Sequence, residues 1–214
     1  MLGLIAPAVI GVLLAVVTGG SLSHWSSVHL RWWPLVAVCL LLQVALFNPL
    51  LEEHPAIIVY GPWLYVLSLV GIVAALLVNA RATRAASFPL RLAALGVTLN
   101  CLVIVVNGGY MPRSGDAAAS LSMAPIPPPP HERLVNVQPM DAETRLAWLG
   151  DNTAQPRWLP LANVVSIGDM LLAGGLAWWA FGVTAASLTW PALGRPRGAT
   201  RDPVWSAPNS ETPA

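Results

Sequence analysis

Lysine is missing from this chain: all 11 basic residues are arginine. Schiff-base catalysis and a phosphate-binding P-loop both need a lysine amine, so both are excluded. Charge of either sign is scarce. Charged residues make up 10% of the 214, against about 25% in soluble domains. The formal net charge of +1 offers nothing to attract nucleic acid. Cysteine is nearly absent, and Cys39 and Cys101 each sit inside an apolar run, where a free thiol behaves as a small hydrophobe. No metal or cofactor motif is visible. His24 and His29 lack a helical ligand spacing, and Glu52-Glu53-His54 reads as a solvated turn between two apolar segments. No internal repeat appears, which weakens a transporter reading, since many transporter folds are built from repeats.

Apolar residues are what the chain does have. They account for 56% of it, with a mean hydropathy of +0.64, and this balance points to lipid. Five apolar stretches, near 2–18, 33–50, 57–80, 90–107 and 161–184, approach the roughly 20 residues a bilayer requires. The first lacks the basic start and Ala-x-Ala site of a signal peptide and is read as a span. Gly61-Pro62 is read as the first turn of the third span, because Pro is tolerated there. The fold expected is therefore all-α: a polytopic transmembrane bundle over 1–190 with one long extracytoplasmic loop at 108–160. A disordered cytoplasmic tail is expected at 191–214, where Pro, Arg and Ser dominate.

Within the loop, Ala117 to Pro130 is low-complexity, and Pro127 to Pro130 favours an extended polyproline conformation. Residues 113–135 have almost no periodic apolar face and are expected to tolerate shortening. Asp141 to Leu149 reads as a short amphipathic helix with Asp141 as N-cap. Trp148 and Trp158 would rest it on the membrane surface. Orientation follows from arginine. Arg31, Arg81, Arg84, Arg91, Arg195, Arg197 and Arg201 fall on one side, and the hairpin at 51–56 has none. The N-terminus and the long loop are therefore expected outside and the tail in the cytoplasm, in a multi-pass cell-membrane protein.

Polar groups at membrane depth are few. Asn100 and Asn107 are seven residues apart, on nearly the same helix face. Gly168, Gly175 and Gly182 repeat at the same spacing and suit close helix packing. Asp169 is the one clear ionisable residue within a span, and such a residue needs an interior partner or cavity. At ~1.5 Å per residue, Asp169 lies ~12 Å below Leu161 and Asn100 ~10 Å below Asn107, so the two can meet. Asn100, Asn107, Ser166 and Asp169 are expected to form a cluster under the outer leaflet, with Gln43 at similar depth. Gly108-Gly109 permits the positive φ of a helix C-cap, and Leu149-Gly150-Asp151 is expected to return to the same place. The cluster is either glue between helices or a ligand or catalytic pocket.

These residues resemble an uncharacterised bacterial family of five-span integral membrane proteins, a domain of unknown function. The matching motifs are Gly19-Gly20, Leu30-Arg31-Trp32-Trp33-Pro34, Gln43, Asn107-Gly108-Gly109-Tyr110-Met111-Pro112, Leu149-Gly150-Asp151 and Ser166-Ile167-Gly168-Asp169. The likeness spans about residues 1–185 and implies no established activity. Non-catalytic roles fit best: a scaffold, an accessory subunit or a binder of a lipid-like ligand, with the bilayer and another membrane protein as partners. One alternative is an intramembrane aspartyl hydrolase. Asn163 to Asp169 faintly resembles the Asn-x-x-Asp segment of lipoprotein signal peptidases, with the spacing wrong by three residues. Only Asp151 could partner Asp169 in such an acid pair. Another alternative is a small transporter component.

Overall fold

The computed structural model describes residues 2–48, 50–51, 53–82, 84–125, 135–159 and 162–185. It is mostly helical. The five apolar helices are α1 (Leu2–Val17), α2 (Trp33–Leu46), α3 (Pro55–Ala82), α4 (Arg84–Val106) and α6 (Ile167–Thr184); a short α5 lies between the last two. The helix α3, the Ser87–Val106 part of α4, and α6 are long and apolar enough to cross a membrane, while α1 and α2 are shorter apolar helices. They pack side by side in the order α1, α6, α4, α3, α2. The last helix in sequence thus lies between the first and the fourth. A row leaves two faces of each helix uncovered, and Leu41 and Leu67 are more than 60% exposed. Large apolar surfaces of this kind call for a cover, and α3, α4 and α6 are long and apolar enough to find it in a membrane.

Glycine sets the closest contacts within the row. A Cβ at Gly175 would sit 2.6 Å from the Pro89 carbonyl oxygen, and one at Gly96 would strike the Gly168 carbonyl. One at Gly11 would strike Ala177, which brings α1 onto α6. Gly182 has nothing within 4 Å of that position, so the expected three-glycine stripe is a two-glycine contact.

Several helix ends differ from the expected spans. The helix α2 stops at Leu46, not 50, because Asn48 Oδ1 accepts the Leu50 N–H and turns the chain. The first residue of α3 is Pro55, so Gly61-Pro62 lies inside the helix and is not its first turn. Pro62 is buried, and Gly109 seats against its ring. The helix α6 starts at Ile167, not 161, because Ser166 caps it.

The stretch expected to be a loop is a folded cap. Strand β1 (Met111–Arg113) pairs in parallel with β2 (Val137–Pro139), and β3 (Thr153–Ala154) pairs antiparallel with β4 (Val164–Val165). Between β1 and β2 lies α5 (Gly115–Ser120), started by Ser114 Oγ accepting the Ala117 N–H. Met111 and Leu149 join the buried cluster of Leu69, Val97, Val103, Ile104 and Leu172, so cap and helices share one core. Ala117 and Ala118 pack with Val164 in a second, smaller cluster. Of residues 113–135, expected to be featureless, 113–125 thus carry the end of β1, α5 and part of a small core, and 126–134 lie outside the described residues.

The helix expected over Asp141–Leu149 is absent; a 3₁₀ turn at Ala147–Leu149 is all that is helical there. Asp141 Oδ1 accepts from Glu143 N and Thr144 Oγ1, which closes a turn. Asn107 binds both the N–H and the carbonyl of Arg145, and Leu146 adopts a φ of 52°. Those backbone groups are then unavailable for helical bonds. The Pro127–Pro130 stretch, Glu52 and the tail from 191 lie outside the described residues.

Candidate functional site

The N-terminus of α6 and the middle of α4 build the site. Ser166 Oγ accepts the Asp169 N–H at 2.9 Å, and Asp169 Oδ2 accepts the Ser166 N–H at 3.1 Å. This reciprocal pair is a capping box, which satisfies two otherwise orphaned helix N–H groups. Asn100 of α4 completes the arrangement. Its Nδ2 donates to Asp169 Oδ1 at 2.7 Å, and its Oδ1 accepts the Ser166 hydroxyl at 2.8 Å. Asn100, Ser166 and Asp169 thus form a closed ring of hydrogen bonds between two helices. Gly168 makes room for it, since a Cβ there would overlap the Asn100 amide.

The expected span puts Asp169 ~12 Å below its first residue, Leu161. Asp169 lies instead in the first turn, three residues after the cap. A carboxylate there is favoured by the helix dipole and by its N–H partners, so the high cost of an isolated charge at a helix centre does not arise.

Asn107, Gly108, Gly109 and Gln43 lie elsewhere. Asn107 does not reach Asp169. Its Oδ1 accepts the Arg145 N–H at 2.9 Å and its Nδ2 donates to the Arg145 and Val103 carbonyls, so it pins the cap to the end of α4. Gly108 and Gly109 follow with φ of 73° and 99° and turn the chain into β1. Gln43 lies between α2 and α3, where its Nε2 donates to Ser68 Oγ at 2.8 Å. Gln43 therefore ties α2 to α3, away from the α4–α6 contact.

Asp151 arrives from the cap, as the return of Leu149-Gly150-Asp151 suggested. Its N–H donates to the Pro112 carbonyl and its carbonyl accepts the Ser114 N–H, each within 2.9 Å. A parallel bridge pairs it with Arg113. The residue is only 8% exposed, and Oδ1 has no hydrogen-bond partner among the described residues. Burial, and then the negative charge of Asp169, push its carboxyl up to about 8; Arg113 partly opposes them. Burial in turn lowers the Arg113 guanidinium, and Asp151 opposes that. Tyr65 of α3 lies near Asn136 and within electrostatic reach of both carboxylates.

Sequence reasoning missed Tyr65, Ser68, Asn136 and Arg113 as neighbours of these groups. Ser68 carried a usable signal: it is a polar residue in an otherwise apolar run. Asn79 was missed too. Its Oδ1 accepts the Arg31 N–H and its Nδ2 donates to the Arg31 carbonyl, clipping the 28–32 connector onto α3. At the same end Trp25 Nε1 donates to Thr184 Oγ1.

Among the described residues no three His, Cys, Asp or Glu side chains converge as metal ligands. One groove lies between α1 and α6 against Ile10, Leu14, Trp178 and Phe181, and a cleft on the cap is lined by Arg113, Ser114, Met123 and Gln138. Neither is lined by Asn100, Ser166 or Asp169.

No curated protein and no solved structure matches the chain. A family of unknown function, DUF5317, matches residues 27–181, which take in the helices from α2 to most of α6, the cap and the whole Asn100–Ser166–Asp169 ring. With most of its length matched, the chain belongs to that family.

Proposed function

We propose that this chain is a five-span membrane protein with no catalytic role of its own: a scaffold, accessory subunit or binder of a lipid-like ligand that presents its cap on the outer face. The observation that carries this reading is the closure of the Asn100–Ser166–Asp169 ring. Both Asp169 oxygens already accept from N–H groups, and the Ser166 hydroxyl both donates and accepts. Such a ring is a strut: its groups serve one another and leave none aimed at a substrate. Exposed Trp148 and Trp158 on the cap suit the lipid–water interface.

A second reading, an aspartyl hydrolase, draws on one observation, the influence of Asp169 on the buried carboxyl of Asp151. Paired acids that share a proton are how aspartyl enzymes activate water. Complementation separates the two readings. Cells lacking the gene receive the Asp169→Asn variant, which keeps shape and an accepting oxygen. Restored phenotype with normal membrane accumulation supports the strut. Loss of the phenotype with the protein still stable would favour the acid pair.

A further inference from the structure

The cap is fastened over the helices at several points, and one of them is chemically unlike the rest. Asn107 clips Arg145, and Met111 and Leu149 enter the shared core. Those fastenings are neutral. Asp151 is a carboxyl buried at the same seam, its backbone held on both sides by Pro112 and Ser114, with Oδ1 unpartnered among the described residues. A buried carboxylate without a partner is costly, and protonation removes the charge.

We propose that Asp151 is a proton-operated latch: with its proton bound it seats the cap against the helices beside Asp169, and when the proton leaves for solvent the cap opens more readily. Three groups face it, each from a different element. Arg113 comes from β1, Asp169 from the first turn of α6 and Tyr65 from α3. Arg113 is its bridge partner in the strand pairing, yet no ion pair between them forms among the described residues. Asp169, already bound to Asn100 and Ser166 N–H groups, places negative charge against any charge on Asp151. The raised value near 8 agrees with this geometry.

The direction follows from linkage. The closed cap binds the Asp151 proton more tightly than the open one, so the stabilisation is complete below the ordinary carboxyl value of 3.8 and is lost as pH rises through about 8. Between those limits one proton is released per opening, and the opening constant rises about tenfold per pH unit.

The test uses the full chain in nanodiscs. Hydrogen exchange of the Ser114 and Asp151 amides, corrected for intrinsic rate, should speed by roughly 100-fold from pH 6 to pH 8 and then level off. Asp151→Asn should flatten that profile. Arg113→Gln should move the levelling point upward in pH, because it removes the opposing positive charge. If Asp151→Asn fails to fold, infrared spectra of wild type with labelled aspartate decide: a protonated carboxyl band at pH 6 that is gone at pH 10 supports the latch. A flat wild-type exchange profile, an unchanged profile in Asp151→Asn, or no protonated band at pH 6 would each overturn it.

Discussion

Gly168 backs directly onto the side chain of Asn100: a Cβ at Gly168 would fall on the Asn100 Oδ1 that receives the Ser166 hydroxyl. The same glycine carbonyl lies against Gly96 of α4. The strut and the closest approach of α4 to α6 are therefore one feature.

Gly168→Ala should accordingly be among the most damaging small substitutions. It forces α4 and α6 apart and breaks the ring, at about 1–3 kcal/mol for overpacking alone. Gly182→Ala is the control, with open space at the Cβ position, and should leave stability unchanged or slightly raised. Thermal unfolding in detergent compares the two. Equal midpoints would contradict the close contact.

Asp169→Asn should be the milder change: its amide oxygen still accepts from Asn100, and only the Ser166 N–H loses its acceptor. Asp169→Leu should be clearly worse. It leaves Asn100 Nδ2 and the Ser166 N–H without acceptors, each at about 1–3 kcal/mol. The order of detergent melting temperatures checks this; wild-type stability in both variants would mean the ring is not a strut.

Asn107→Leu removes the clip on Arg145, with bonds of 2.8 and 2.9 Å to its carbonyl and N–H. The segment 141–149 should then become sensitive to limited proteolysis while the helices stay intact. Gly109→Ala should have a related effect, since φ is 99° there and the new methyl meets Pro62 Cβ at 2.6 Å. Gly108→Ala should be gentler, with only its φ of 73° against it. Fragment masses after brief protease treatment report the cut sites.

Topology is open to direct measurement. Reporter fusions at residues 85 and 205 should read cytoplasmic and one at 125 external, following the arginine distribution. A cytoplasmic signal at 125 would invert the arrangement.

Much of the architecture was legible without coordinates. The apolar runs announced helices, because a chain this short of charge has little else to form in lipid. Asn100, Ser166 and Asp169 stood out as the polar residues near one another in sequence depth, but the rise was counted from Leu161; α6 begins at Ile167, and they meet through its first turn. The cap was not legible. Its strands are two or three residues long, too short for any period to show, and its core is borrowed from the helices through Met111 and Leu149. Asp141–Leu149 looked helical by local pattern, but Asn107, 38 residues away, takes the Arg145 backbone groups that a helix would need.

The residue pattern by itself determined the helical class and the approximate positions of the five apolar helices, since these depend on composition and run length. Tertiary structure alone decided where α6 begins, which makes Asp169 part of a helix cap and not a residue two turns inside a span. It also decided that α6 lies between α1 and α4, that Gln43 turns to Ser68, and that Asp151 is buried at the seam of cap and helices. Each of these depends on which distant surface a side chain meets, and neighbours along the chain carry no record of that.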